Sequence, residues 1–184
     1  MGSSRAQRYD RVAVTLHWLI ALWLIGQIAF GFLLDGIAPR GTPARGTFIN
    51  LHKSSGMVLF VLIAVRLWWR LRHTPPALPG SVSAAQQRLA TLGHHALYAC
   101  MFVMPLSGYI ASNFSKYGVK FFGIALKPWG PDLPAVYSAF NQLHNVTAWV
   151  FTALILGHVA MALKHQLIDK DALLSRMSLR KKSS

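Results

Sequence analysis

Four apolar stretches, each of more than about 20 residues, decide what this chain can fold into. They run from about Val12 to Leu34, Phe48 to Arg70, Leu89 to Ser112 and Phe140 to His165. About 20 helical residues cross the hydrocarbon core of a bilayer. Inside that core every backbone N–H and C=O must be paired within the protein, so a span is a helix or a closed barrel. None of the four stretches shows the strict alternation of a barrel strand. The sequence therefore predicts an all-α protein, an integral membrane four-helix bundle. The first stretch is too long for a cleaved signal peptide, and no small-residue cleavage site follows it.

Composition supports this reading and removes others. The chain is 53% hydrophobic and 13% charged, where a water-soluble domain carries about a quarter charged residues. It holds 19 Lys and Arg against 5 Asp and no Glu, for a net charge of +14. The basic residues flank the spans, as membrane orientation requires, so a nucleic-acid partner is not expected. A single cysteine, Cys100, excludes an internal disulfide and a cysteine-based zinc cluster. Asp10, Asp35, Asp132, Asp169 and Asp171 all lie outside the apolar stretches, so there is no carboxylate pair for acid–base hydrolysis.

The organisation follows from these stretches. Residues 1–11 form a leader, 12–165 the four-span domain, and 166–184 a tail with the basic cluster Arg180-Lys181-Lys182. Residues 35–47, 71–88 and 113–139 are the connecting loops, rich in Gly and Pro. Pro75-Pro76 and Pro79-Gly80 end the second helix. Arg40, Arg45, Lys53, Lys116, Lys120 and Lys127 lie on one side of the bilayer, and the other 13 of the 19 basic residues on the opposite side. That bias places both termini in the cytoplasm.

Ionisable residues inside a span are functional candidates by default. Five of the eight histidines fall there: His17, His52, His94, His144 and His158. At about 1.5 Å per residue, His17 and His158 lie roughly 8–10 Å in from the cytoplasmic ends of the first and fourth helices. By the same rise, His52 and His144 lie roughly 6 Å in from the outer ends of the second and fourth. The two on the fourth helix are 14 residues apart. Fourteen residues make nearly four turns, so both share one face, roughly 21 Å apart. Two imidazole pairs facing each other across an apolar bundle suit two b-type haems, each iron taking one axial histidine from either side. His94 lies at the depth of the cytoplasmic pair and can replace either member of it.

Other residues fall on the same faces. Gly31 is His17 plus 14, a side-chain-free position at the level of the outer haem, and Gly56 is His52 plus 4, where bare backbone lets a porphyrin lie close. Arg66 is His52 plus 14, a cation at the inner level suited to haem propionates. His165, His158 plus 7, is placed to bond a propionate or to give a proton to a quinone, with Arg66 and Arg70 beside it.

At this point a resemblance emerges. Leu16-His17-Trp18, His52-Lys53-Ser54-Ser55-Gly56, Leu92-Gly93-His94 with Tyr98, and His144 with His158 resemble the bacterial cytochrome b561 family. Arg66-Leu67-Trp68-Trp69-Arg70 and Met104-Pro105-Leu106-Ser107-Gly108 are similar to it too. The resemblance implies a di-haem b protein of the bacterial inner membrane that passes electrons from superoxide to ubiquinone. It also implies that His17, His52, His144 and His158 are the axial ligands and that His94 is not one. Lys53, beside His52, and the other outer-side cations are then expected to draw in the superoxide anion. Two rivals stand beside this reading. One is a haem b subunit that takes electrons from a larger dehydrogenase of the hydrogenase type. The other is a transporter bundle whose histidines hold a metal or relay protons, which ordinarily needs carboxylate or cysteine partners within the spans.

Overall fold

A computed structural model describes residues 8–76, 83–170 and 173–179. Most of the expected leader (1–7), Pro79-Gly80, Asp171 and the basic cluster 180–182 lie outside the described residues. Four long helices dominate: α1 (Arg11–Ile37), α2 (Pro43–Arg72), α3 (Ala84–Asn113) and α4 (Pro134–Lys164). Each is long and apolar enough to cross a membrane. A π-helical turn, His165–Asp169, continues α4, and a 3-10 turn, Leu174–Met177, follows.

The helices start earlier than the apolar stretches and, for α1 to α3, end later, and local chemistry accounts for the extra turns. Pro43 and Pro134 sit in the first turns of α2 and α4, where their missing N–H costs nothing. The loops expected at 35–47 and 113–139 are shorter for that reason. Ser83 and Gln86 form a reciprocal capping box at the start of α3, which shortens the loop at 71–88 as well. Asp10 caps α1 by accepting a hydrogen bond from the Ala13 N–H at 2.9 Å.

The third loop holds a feature not expected from sequence. Two three-residue strands, β1 (Val119–Phe121) and β2 (Ile124–Leu126), pair antiparallel with Phe121 opposite Ile124. The two-residue turn between them, Phe122-Gly123, has positive φ at both positions (45° and 93°). That backbone matches the twist of a tight hairpin, and for a bulky Phe it is strained. Ser54, fully buried on α2, accepts the Phe122 N–H at 2.8 Å, and its one hydroxyl proton is shared between the Asn50 carbonyl at 2.7 Å and the Lys120 carbonyl at 3.1 Å. The hairpin is thereby pinned to α2.

α1 packs along α2 and α3 along α4, with lesser contact between α2 and α3. The core is a narrow axial cluster of Ile20, Leu24, Ile28, Leu59, Ile63, Leu97, Cys100 and Phe151. Large apolar side chains such as Leu22, Trp149 and Leu156 face outward, about two-thirds exposed. In a bilayer these outward faces meet lipid, which is as apolar as they are. The described parts of both termini meet at one end: the Tyr9 N–H donates to the Arg176 carbonyl at 3.4 Å, and the Trp18 indole to the Met177 carbonyl at 2.8 Å. This is the termini end; the opposite one is the hairpin end.

Candidate functional site

Within the bundle the histidines meet in two groups, both across the seam between the α1/α2 and α3/α4 pairs. At the hairpin end His52 of α2 faces His144 of α4, with ring centroids 6.3 Å apart. At the termini end His17 of α1 faces His158 of α4 at 6.4 Å. His94 of α3 joins the second group, its ring 5.6 Å from that of His158.

The partners of each ring differ. The His144 Nδ1–H donates to the Met104 carbonyl at 2.7 Å, which leaves Nε2 with a free lone pair aimed elsewhere. Ser107 lies 3.4 Å from the same Nδ1. A Cβ on Gly108 would stand 2.9 Å from the His144 ring, so only glycine lets α4 bring that ring so close. Gly31 plays the same part opposite His52, where a Cβ would lie 3.2 Å from Cε1. Nδ1 of His52 lies 3.2 Å from the side-chain amide nitrogen of Gln27, which also donates to the His52 carbonyl at 2.7 Å. Gly56 has the Gln27 amide as its nearest neighbour, 3.3 Å from where a Cβ would be. Its bare backbone thus makes room for an amide, a neighbour that sequence had not suggested.

Charge gathers at the termini end. Arg66 lies within electrostatic reach of His17, His94 and His158, and donates to the Ala13 carbonyl at 3.2 Å. Arg70 stacks its guanidinium over the Tyr98 ring at 5.6 Å. Among the described residues no carboxylate pairs with either arginine. The Tyr98 hydroxyl is buried with no hydrogen-bond partner. Beyond them, the π-helical turn sets the Asp169 carboxylate against His165 Nδ1 at 3.2 Å and Lys164 Nζ at 2.6 Å.

Lys53 is less free than expected. Its ammonium donates to the Gly118 carbonyl at 2.9 Å, tying the stem of the hairpin to α2. Arg45 is bound to Asp35 at 2.6 Å and to the Leu34 and Ala38 carbonyls, and Arg40 lies 4.0 Å from Asp35. The free positive charge at the hairpin end therefore rests mainly on lysines. Sequence reasoning missed Gln27, Met104, Ser107 and Gly108. The Met104–Gly108 motif was visible, but its contact with His144 depends on how α3 and α4 are rotated against each other.

These residues fit a haem. Each metal–imidazole bond is about 2 Å, so one metal held between two imidazoles sets their centroids about 6 Å apart. Both facing pairs meet that spacing. Glycines stand where side chains would crowd the hairpin-end rings, and at the other end stand an orphaned hydroxyl and two guanidiniums with no carboxylate partner among the described residues. No three or more His, Cys or Asp side chains converge to chelate a bare metal among the described residues.

The model of the family described as prokaryotic cytochrome b561 matches residues 8–178. The chain belongs to the prokaryotic cytochrome b561 family. It is 34% identical over 178 residues to "Cytochrome b561 homolog 2" of Escherichia coli (strain K12), covering 93% of this chain and 91% of that one. "Cytochrome b561 homolog 1" of the same organism is 27% identical, covering 95% and 99%. "Probable superoxide oxidase CybB" of Yersinia pestis is 28% identical, covering 96% and 98%. This cytochrome b561 protein is thus a bacterial membrane electron-transfer protein of a haem b family.

Proposed function

We propose that this cytochrome b561 protein holds two b haems, one between His52 and His144 and one between His17 and His158. It takes single electrons from superoxide at the hairpin end and delivers them to ubiquinone. The hairpin end faces outward from the bacterial inner membrane, and both termini face the cytoplasm, following the bias of the basic residues. The observation that carries the reading is the pair of facing imidazole couples, 6.3 and 6.4 Å apart, at opposite ends of one face of α4.

A haem b held between these imidazoles would supply one-electron redox chemistry. The chain's own residues do the rest. His144 is fixed by the Met104 carbonyl in the tautomer that leaves Nε2 free. Arg66, Arg70 and the Tyr98 hydroxyl offer charge and a hydrogen bond to carboxylates at the termini end. Lys53, Lys116, Lys120 and Lys127 give the hairpin end a positive field, which attracts a small anion. Two superoxide ions each lose one electron and leave as dioxygen. The quinone gains those two electrons and two protons. His165, held by Asp169, is the residue placed to pass a proton at the termini end.

The test is a reduced-minus-oxidised spectrum of detergent-purified protein with haem counted per chain, followed by anaerobic addition of superoxide. Two low-spin b haems per chain that superoxide reduces are expected. No haem in protein made with ample haem supply would overturn the reading. Two haems that superoxide leaves oxidised would favour the subunit of a larger dehydrogenase.

A further inference from the structure

We infer that Gln27 is a positioning residue for the hairpin-end haem, tuning it through His52; the inference rests on the di-haem reading above. Three observations converge on this amide. It lies 3.2 Å from His52 Nδ1. It is anchored by a 2.7 Å hydrogen bond to the carbonyl of the same residue, so it is held in register with the ring. Gly56, one turn along α2, leaves open the space that the amide fills.

An imidazole that binds metal through Nε2 passes on whatever its Nδ1 experiences. An acceptor there raises the basicity of the ligating nitrogen, and the positive end of a donor lowers it. The end of the amide that faces Nδ1 is its nitrogen, held there by the bond to the His52 carbonyl. Its N–H dipole draws electron density from the ring, which favours the reduced metal. On the opposite ring the main partner is a backbone carbonyl, Met104, which no side-chain change removes. Gln27 is therefore the stronger side-chain lever on this pair. Among the described residues no side-chain amide faces His17 or His158 in this way.

The experiment is a redox titration of purified, haem-loaded protein, followed by absorption and low-temperature electron paramagnetic resonance, on wild type, Gln27→Leu and Gln27→Glu. The signal that vanishes in His144→Ala identifies the hairpin-end haem. Gln27→Leu should lower the midpoint potential of that haem and Gln27→Glu should lower it further. Haem content and the other midpoint should stay unchanged. If Gln27→Leu loses haem, Gly56→Ala is the substitute: its Cβ would press on the amide nitrogen from 3.3 Å and should also lower the hairpin-end midpoint. Unchanged potentials and resonance signals in every variant would overturn the role of Gln27 and leave the two haems standing. Equal shifts of both midpoints would overturn it too. A chain without haem would overturn both readings.

Discussion

The two ends of the bundle solve the same problem by different means. At the hairpin end both facing rings are gripped at Nδ1, His144 by a backbone carbonyl and His52 beside an amide, and glycines clear the space around them. At the termini end no hydrogen bond grips His17 or His158 among the described residues; Arg66 lies near both and His94 beside His158 instead, with Arg70 and the buried Tyr98 hydroxyl next to them on α2 and α3. One end is organised by hydrogen-bond geometry and the other by positive charge. The difference teaches that ring orientation and charge balance are separable tasks within one fold. Fixed, crowded rings suit a site whose redox properties are set by ligation. A cationic pocket lacking carboxylates suits one that receives them from a ligand.

The largest effect should come from removing a ring. His144→Ala should cost one of the two proposed haems and His94→Ala neither, as counted by haem per chain. Loss of haem in His94→Ala would move the inner site from His17 to α3 and redraw the comparison. Next comes crowding. Gly108→Ala puts a Cβ 2.9 Å from the His144 ring and should lower haem occupancy at the hairpin end alone. Gly31→Ala, at 3.2 Å from His52, should do so less. Third, Arg66→Gln should lower the midpoint of the termini-end haem and leave the other in place, because a nearby cation favours the more negative, reduced state.

Lys53→Ala should slow reduction by superoxide several-fold at low salt, with the gap closing as ionic strength rises and screens the field. Lys120→Ala tests the same field without touching the Lys53 tie to Gly118. The smallest effect belongs to Asp10. Burial pushes its carboxyl up, but hydrogen bonds from the Ala13 N–H and the Trp69 indole outweigh this and hold it below the usual carboxylate range. A depressed carboxyl contributes stability above its unfolded value of about 3.9 and loses it as pH falls through the lower folded value. Asp10→Ala should cost about 1 kcal/mol in thermal unfolding near neutral pH, the usual size for a lost helix cap.

The spans were legible because a bilayer dictates their length and apolarity. The face-to-face histidines were legible because 14 residues is close to a whole number of turns, so His144 and His158 had to share a side. What depends on rotation between helices was not. Nothing in the order of residues says that Gly56 has the Gln27 amide beside it, or that His94 comes within 5.6 Å of His158. Apolar runs also understate helices, because capped polar turns such as Ser83–Gln86 extend them past the bilayer. The hairpin escaped because strands of three residues carry almost no periodic signal, and the Phe122-Gly123 turn depends on an anchor, Ser54, far away in sequence.

Both facing pairs draw one ring from α4, the last of the four spans to be made. Until it inserts, His52 has no facing ring, and His17 has only His94 of α3 near it. A polypeptide stalled after α3 has a membrane anchor but lacks both imidazole couples. One inserted helix completes both couples in a single step.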